Sequence, residues 1–230
     1  MRNICIIPAR GGSKRIPRKN VKDFLGKPII AYSIEAALKS GLFDEVMVST
    51  DDHEIATIAK QYGASVPFMR SAETANDHAI IAEVLEDVLK GYDRLGKQFD
   101  NMCCVLATAP LLRSEDLHEA YRKLVDSDFV SVFPIVQFSF PIMRSFKMDD
   151  NGKIEYNWPE YYPVRSQDIP PAYHDAGMFY WHKIDQWRKG IDNKCGYVLD
   201  DIFVQDIDTE ADWKLAEMKY LLLNSHDFNG

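Results

Sequence analysis

The chain has 230 residues, 46% of them hydrophobic, and a formal net charge of −8. This length and composition allow one α/β domain with a full core, while the negative charge disfavours general binding to nucleic acid. No apolar stretch is long enough to span a bilayer and no signal-peptide pattern is present, so we expect a cytoplasmic protein without a membrane partner. The four cysteines lack metal-ligand spacing, which agrees with a reducing compartment.

The first element is an apolar strand that runs from Asn3 into a basic glycine loop. Gly11 and Gly12 follow the strand, and seven of the 27 Lys and Arg residues lie between Arg10 and Lys27. Glycines let backbone amides point outward and clustered cations neutralise negative charge, so the loop is typical of a polyanion site, most simply one for a triphosphate. The spacing fits neither a Walker P-loop nor a dinucleotide fingerprint, which disfavours a kinase or a dehydrogenase.

The rest of the chain alternates between predicted strands and helices. Apolar runs predict strands at 47–49, 102–106, 129–136, 179–181 and 202–207. Helical patterns cover 29–40, 53–62 and 114–125, with Pro28, Gly41, Gly63 and Ser114 as boundary signals. This alternation predicts an α/β fold with a mainly parallel sheet covered on both faces. Ligands then bind at the carboxyl ends of the strands, where the basic loop lies.

The region 133–181 breaks this alternation. It holds 12 of the 27 aromatic residues and six of the 11 prolines, and Asn151-Gly152 marks a predicted hairpin turn. We interpret residues 137–175 as an insert within a single domain that spans 1–230. A surface element so rich in aromatic residues usually packs on something, so it predicts contact with a twin subunit or with a ligand.

Five segments, taken in order, resemble one enzyme family. They are IPARGGSKRIPRKN, LGKPIIAYSIEAAL, VSTDD, RSAETANDHA and QDIDTEADW. Their order and spacing over nearly the whole chain are similar to those of the CMP-sialic acid synthetases, or acylneuraminate cytidylyltransferases. That family joins CTP to a nine-carbon 2-keto sugar acid, a nonulosonic acid, and releases pyrophosphate. Within it, His174-Asp175-Ala176-Gly177 resembles the enzymes for pseudaminic acid. The resemblance implies a three-layer, Rossmann-like nucleotidyltransferase fold. Because the aromatic insert has too little chain around it to be covered by its own domain, we predict a homodimer in which it contacts the twin subunit.

The resemblance also implies roles for the basic loop and for the turn after residue 70. Arg10, Lys14 and Lys19 are the implied catalytic contacts to the triphosphate, because cations stabilise the charge that develops when a phosphate is attacked. The implied nucleotide-binding residues are Ala9, Gly11, Ser13, Asn20, Arg70, Asn76 and Asp77. For Lys22 and Lys27 we favour exposed charges without a site role, and for Arg15 and Arg18 the choice between an exposed charge and a site role stays open.

Two aspartates near the end of the chain form a second candidate site. Asp206 and Asp208 are two apart at the end of the predicted strand 202–207, so their carboxylates should leave it on the same face and hold one hard cation. The resemblance implies that this cofactor is Mg²⁺, with Mn²⁺ as a substitute. A capping role is the alternative, because Thr209-Glu210-Ala211-Asp212 matches a capping box. A cap would leave Asp206 unexplained.

The acceptor site is predicted from the insert. Its candidate sugar-binding residues are Arg165, Gln167, Asp168, Tyr173, His174 and Asp175, which suit a carboxylate, hydroxyls and acylamino groups. We expect His174 and Asp175 to be a buried pair that selects one stereoisomer, with simple aromatic packing as the alternative. The same reaction on legionaminic or N-acetylneuraminic acid is the nearest functional alternative, and a non-catalytic nucleotide-binding protein is the distant one. No general base is assigned.

Overall fold

A computed structural model describes residues 1–71, 73–75 and 79–225 of the chain. Its strands are β1 (Asn3–Pro8), β2 (Asp23–Phe24), β3 (Lys27–Pro28), β4 (Glu45–Ser49), β5 (Asn101–Val105), β6 (Ser131–Gln137), β7 (Phe146–Met148), β8 (Ile154–Tyr156), β9 (Tyr173–Asp175), β10 (Phe179–Lys183) and β11 (Lys194–Leu199).

The α-helices and the short 3₁₀ helices complete the described elements. The α-helices are α1 (Ile29–Ser40), α2 (His53–Gln61), α3 (Ile81–Arg94), α4 (Ser114–Val125), α5 (Ile184–Arg188) and α6 (Glu210–Asn224). The 3₁₀ helices are Lys19–Val21, Ile142–Arg144, Pro159–Tyr161, Ser166–Asp168 and Asp201–Phe203. Among the described residues, no helix has the length and apolar character needed to cross a bilayer.

The central sheet is mainly parallel. Its strand order is β11-β6-β10-β5-β1-β4, and β9 adds to β6 beside β10. The pairs β1–β4, β1–β5 and β6–β11 are parallel, whereas β10 runs antiparallel to both β5 and β6. The carboxyl ends of β1, β4 and β5 therefore meet at one edge, and the first residues of β10 lie at that same edge.

Helices cover both faces of this sheet. Apolar residues of α1, α2 and α4, such as Ile34, Ile55 and Leu117, share one buried cluster with the sheet residues of one face. Leu85 of α3 and Ile184 of α5 share a second cluster with the opposite face. Burying an apolar stripe of each helix on a sheet face gives three layers. The predicted α/β fold with a mainly parallel sheet is confirmed.

A third, smaller cluster joins the two ends of the chain. Ile16 from the basic loop and Phe24 from β2 pack with Ile207 and Trp213, and all four are almost fully buried. The Phe24 ring meets the Trp213 ring edge-on, with centroids 5.6 Å apart. This core holds the segment before α6 against the loop after β1.

The chain between β6 and β10 is built mostly of short elements. β7 and β8 form the hairpin predicted at Asn151-Gly152, and Gly152 has the positive φ of 82° that such a turn favours. Several large apolar side chains of this region are exposed, including Phe140 (71%), Met148 (72%) and Tyr162 (65%). The interpretation of 137–175 as an insert stays a prediction.

The predicted strand 202–207 is wrong. The Asp200 side chain accepts a hydrogen bond from the Ile202 amide at 3.2 Å, which starts the 3₁₀ helix Asp201–Phe203. Lys219 Nζ of α6 then donates to the carbonyl oxygens of Asp201 and Val204, at 2.8 and 2.7 Å. These bonds replace strand pairing. The strand beside β6 is instead β11, where alternating exposed and half-buried positions weaken the apolar signal.

Candidate active site

The loop after β1 is pinned to the end of β4 and to the start of α2. The Ala9 amide donates to the Ser49 carbonyl at 2.9 Å, and the Gly11 amide donates to Asp51 Oδ1 at 3.0 Å. A Cβ on Gly11 would lie 2.7 Å from Asp52 Oδ2, so no larger residue fits there without displacing Asp52. The loop therefore has a fixed path over the carboxyl edge of the sheet.

Most of the predicted basic and nucleotide-binding residues line one cavity at this edge. Its volume is about 560 Å³, within the range of small-molecule pockets. The lining residues are Pro8, Arg10, Ser13, Lys14, Arg15, Lys19, Asn20, Arg70, Thr74, Ala79, Ile81, Val84, Leu106, Ala107 and Thr108. Ala9 and Gly11 belong to the loop without lining the cavity. Asn76 and Asp77 lie outside the described residues.

Two polar side chains stiffen the cavity wall. Asn20 Nδ2 donates to the Arg10 carbonyl at 2.9 Å and closes the loop on itself. Arg70 donates to Ser49 through Nε and Nη2, to the hydroxyl at 3.1 Å and to the carbonyl at 2.5 Å. Burial lowers the pKa of Arg70, and the neighbouring Arg10 adds to this, while Asp51 acts in the opposite direction. A desolvated guanidinium of this kind favours a ligand that supplies negative charge or hydrogen-bond acceptors.

The segment that carries the two candidate metal-binding aspartates lies against the same loop. Lys19 Nζ donates to the Ile207 carbonyl at 2.6 Å and lies 3.7 Å from Asp208 Oδ1. Arg15 Nη1 is 2.7 Å from Asp208 Oδ2. Partial burial raises the pKa of Asp206, the Asp208 charge raises it further, and Lys19 opposes both effects. The basic loop and the aspartate pair thus form one site.

The donor set fits a hard divalent cation that arrives with further ligands. Two carboxylates, of Asp206 and Asp208, supply oxygen atoms of the kind that Mg²⁺ prefers. Within the described ranges, no group of three or more His, Cys, Asp or Glu residues could hold a metal ion. Mg²⁺ commonly uses one or two carboxylates together with phosphate oxygens and water. A cation at this pair would therefore take the rest of its shell from solvent and a phosphate ligand.

The helix cap does not use either candidate carboxylate. Thr209 Oγ1 accepts a hydrogen bond from the Asp212 amide at 3.2 Å, and Asp212 Oδ2 accepts one from the Thr209 amide at 2.7 Å. The capping box predicted from the sequence is confirmed. Since Thr209 and Asp212 make this cap, capping does not explain Asp206 or the side chain of Asp208.

The structure distinguishes Arg15 and Arg18, which the sequence left undecided, and locates Lys22, for which no site role was predicted. Arg18, with a φ of 56°, binds Asp52 at 2.5 Å and also Glu54, at the start of α2 and away from the cavity lining. Lys22 pairs with Glu210 at 2.7 Å and lies over the Trp213 ring. These contacts link neighbouring elements. Arg15, undecided on sequence grounds, lines the cavity.

The predicted sugar-binding residues fall into two groups. Arg165 and Asp168 form an exposed ion pair at 2.7 Å, with Gln167 beside them on the same 3₁₀ helix, and none of the three lines the cavity. Tyr173, His174 and Asp175 form β9, and all three are exposed in the single chain. The expectation of a buried His174–Asp175 pair is therefore wrong for this chain, because β9 lies beside β6 with its side chains open to solvent.

Asp175 is nevertheless held close to the aspartate pair, by a residue that the sequence analysis missed. The Tyr180 hydroxyl lies 3.0 Å from both carboxylate oxygens of Asp175, and the Gly177 amide donates to Asp175 Oδ1 at 2.7 Å. Burial raises the pKa of Tyr180, and Asp175 adds to the shift, so this hydroxyl remains a donor. Gly177 has a φ of +63°, and a Cβ there would lie 3.6 Å from Asp206 Cγ. The turn after β9 thus lies next to Asp206.

Comparisons with known proteins agree with this arrangement. Residues 4–225 match the family model described as Cytidylyltransferase. A pseudaminic acid cytidylyltransferase of Campylobacter jejuni is 43% identical over 224 residues, which cover 96% of this chain and 97% of the relative. A CMP-N,N'-diacetyllegionaminic acid synthase of Legionella pneumophila is 35% identical, covering 97% of this chain and 98% of the relative.

A solved structure gives the same picture for the fold. The chain superimposes on CMP:2-keto-3-deoxy-manno-octonic acid synthetase complexed with CTP with a TM-score of 0.70, covering 96% of this chain and 98% of that one. The sequence identity is 21%, so this likeness concerns the fold alone.

Proposed function

The chain belongs to the cytidylyltransferase family, and from this premise we propose that it transfers CMP from CTP to the anomeric C2 hydroxyl of pseudaminic acid. The reaction releases pyrophosphate. The observation that carries the proposal is the cavity lined by the basic loop and Arg70, together with the contacts of Lys19 and Arg15, two of its lining residues, to the Asp206–Asp208 segment. The cations of the cavity match a triphosphate. Asp206 of the adjoining segment lies next to Gly177, whose amide donates to Asp175.

The basic loop binds and polarises the triphosphate. Arg10, Lys14 and Lys19 supply positive charge along the cavity, where negative charge accumulates as the α-phosphorus is attacked and pyrophosphate leaves. Lys19 is fixed by the Ile207 carbonyl before the nucleotide arrives, so little reorganisation is needed. Ser13 and Asn20 contribute neutral hydrogen bonds, Asn20 near the ribose, and Arg70 supplies a partly desolvated guanidinium to the same cavity. Ala9 and Gly11 keep the backbone path on which these contacts depend.

Asp206 and Asp208 would hold Mg²⁺ or Mn²⁺. When bound, such an ion reduces the charge of the nucleotide phosphates. Lys19 lies next to this pair, so the chain itself partly balances the acidic charge. Asp206 also lies next to the turn at Gly177, which supports a position for the aspartate segment between the nucleotide and the acceptor.

The acceptor binds on the Asp175 side of the cavity. The Leu106 amide donates to the Met178 carbonyl at 2.8 Å, which joins the turn after Asp175 to the cavity edge. An oriented carboxylate accepts hydrogen bonds from hydroxyl or acylamino groups, and it would distinguish sugars that place these donors differently. Among the predicted residues, Asp175 is the best placed. Tyr173 and His174 adjoin it on β9, whereas Arg165, Gln167 and Asp168 lie at a separate 3₁₀ helix that does not line the cavity.

The same reaction on a diacetylated legionaminic acid is the second candidate. It is favoured by the Legionella pneumophila relative, whose name states that substrate and which matches over 97% of this chain. The Campylobacter jejuni relative has the higher identity, 43% against 35%, and its name states pseudaminic acid. We therefore place pseudaminic acid first.

The test is pyrophosphate release from CTP with each of three acceptors: pseudaminic acid, N,N'-diacetyllegionaminic acid and N-acetylneuraminic acid. We expect the highest kcat/KM with pseudaminic acid, and no release without an acceptor. Equal use of N-acetylneuraminic acid would contradict the choice of acceptor and leave the reaction class intact. Binding of CTP without turnover of any acceptor would favour a non-catalytic nucleotide-binding protein.

We also propose that the chain acts as a homodimer through the region 137–175. Its exposed apolar side chains, such as Phe140, Met148 and Tyr162, form a surface that a monomer would leave in water. Light scattering at micromolar concentration should give twice the chain mass, and Phe140→Ser with Tyr162→Ser should shift it towards the monomer. Met218→Ser removes an equally exposed apolar side chain from α6 and should leave the dimer intact. An active wild-type monomer would refute this assembly.

A further inference from the structure

Arg15 forms an ion pair with one carboxylate oxygen of Asp208. Its Nη1 lies 2.7 Å from Asp208 Oδ2, and its side chain also lines the cavity. The neighbours of the two residues fix this contact: Ile16, next to Arg15, and Ile207, next to Asp208, are both fully buried in the same small core. The backbone therefore places the Arg15 and Asp208 side chains side by side.

The two cations near Asp208 differ in how firmly they are held. Lys19 is 20% exposed and donates to a main-chain carbonyl at 2.6 Å, so it remains in place whatever Asp208 binds. Arg15 is 68% exposed, and its long side chain can leave Asp208 without unfolding any element. An exposed ion pair of this kind contributes little to stability, about 0–1 kcal/mol. Stabilising the fold is therefore a weak explanation for Arg15.

We propose that Arg15 is a further triphosphate-binding residue, which rests on Asp208 until a divalent cation and the nucleotide arrive together. The proposal rests on the proposed function, since it takes CTP as the ligand and Asp208 as a metal ligand. A divalent cation must displace Arg15 to reach Asp208 Oδ2. The released guanidinium then lies in a cavity lined by other cations, where phosphate oxygens are the fitting partner because a guanidinium binds them through two parallel hydrogen bonds.

This exchange couples the metal to the nucleotide. A cation alone meets the Asp206 and Asp208 carboxylates, of which Asp208 is already paired, and no third carboxylate joins them among the described residues, so its binding is weak. CTP offers Arg15 a new partner and gives the cation phosphate oxygens. By linkage, each ligand must then strengthen the binding of the other by the same factor. Removing Arg15 should relieve the competition for Asp208, so the cation should bind more tightly. It should also remove one phosphate contact, so CTP should bind more weakly.

The experiment measures Mn²⁺ binding by electron paramagnetic resonance without nucleotide, and CTP binding by calorimetry with Mg²⁺. For Arg15→Gln we expect Mn²⁺ to bind about 3- to 10-fold more tightly and CTP to bind about 10-fold more weakly, the size of one charged contact. Arg15→Lys should lie between Arg15→Gln and the wild type. Arg18→Gln is the matched control, because Arg18 pairs with Asp52 and Glu54 away from the cavity, and it should match the wild type in both measurements.

Unchanged or weaker Mn²⁺ binding by Arg15→Gln would overturn the proposal, and so would unchanged CTP binding. Mn²⁺ binding that survives Asp208→Asn would also overturn it, because Asp208 would then not be the contested ligand. A wild-type protein that binds Mn²⁺ but no CTP would instead contradict the proposed function. The two failures are therefore distinguishable.

Discussion

Replacing Lys19 by alanine tests the basic loop most directly, because this side chain belongs to the basic loop and also contacts the segment that carries Asp206 and Asp208. It lines the cavity, donates to the Ile207 carbonyl and lies 3.7 Å from Asp208. Losing a fixed positive charge where transition-state charge develops should lower kcat by about 100-fold or more, equivalent to at least about 2.7 kcal/mol. Losing the charged donor to the Ile207 carbonyl should reduce the free energy of unfolding by about 1–3 kcal/mol.

The assay is pyrophosphate release at saturating CTP, expressed per folded molecule after urea unfolding has given the stability of each variant. Lys19→Arg keeps the charge and should recover part of the rate. Lys22→Ala is the matched control, since Lys22 lies three residues further along the chain and pairs with Glu210 outside the cavity. Turnover of folded Lys19→Ala within threefold of the wild type would refute the reasoning.

Three further predictions address the metal, the acceptor and a buried histidine. EDTA should abolish activity and Mg²⁺ or Mn²⁺ should restore it, and Asp208→Asn should weaken both the metal dependence and the rate. The control Thr209→Ala should only lower the free energy of unfolding, by about 1 kcal/mol. Full activity in metal-free buffer would exclude the metal role. The preference for pseudaminic over N-acetylneuraminic acid is measured as the ratio of the two kcat/KM values. Asp175→Ala and Tyr180→Phe should each reduce this ratio by roughly 10-fold and leave the KM for CTP unchanged. An unaltered ratio would remove Asp175 from the acceptor site. Burial lowers the pKa of His182 from 6.5 to about 4. Between these pH values the unfolded chain binds more protons than the folded chain, so the free energy of unfolding should fall by up to about 3 kcal/mol as the pH drops from 6.5 to 4. Urea unfolding at several pH values would count against this origin if His182→Gln showed the same dependence of the free energy of unfolding on pH as the wild type.

The basic loop was predictable because its signal is local. Gly11, Gly12 and the following cations are contiguous, and a glycine loop after a strand can face only the carboxyl edge of a parallel sheet. The capping box at Thr209 was predictable for the same reason, since a cap involves residues three apart. The fold class followed from the alternation of apolar strands with amphipathic helices.

The errors came from contacts between residues distant in sequence. An apolar run at 202–207 satisfies a strand pattern, but Lys219 of α6 binds the carbonyls that a neighbouring strand would have used. Arg15 meets Asp208 only because Ile16 and Ile207 share a core. The Tyr180–Asp175 contact joins residues close in sequence, but it depends on β9 and β10 both pairing with β6. Hydrophobic periodicity contains no information on such pairings.

The contact between Lys19 and Ile207 spans 188 positions of the chain, and the pair of Lys22 with Glu210 spans the same number. Closing so long a loop is slow, because the chain must lose conformational entropy before the contacts that stabilise the closed loop can form. During synthesis the glycine loop emerges before the aspartates, which leave the ribosome about two hundred residues later. A nascent chain can therefore pair β1 with β4 and β5 long before it can bind a nucleotide. Acquisition of CTP affinity should mark the last step of maturation, after α6 has docked on the segment that began the chain.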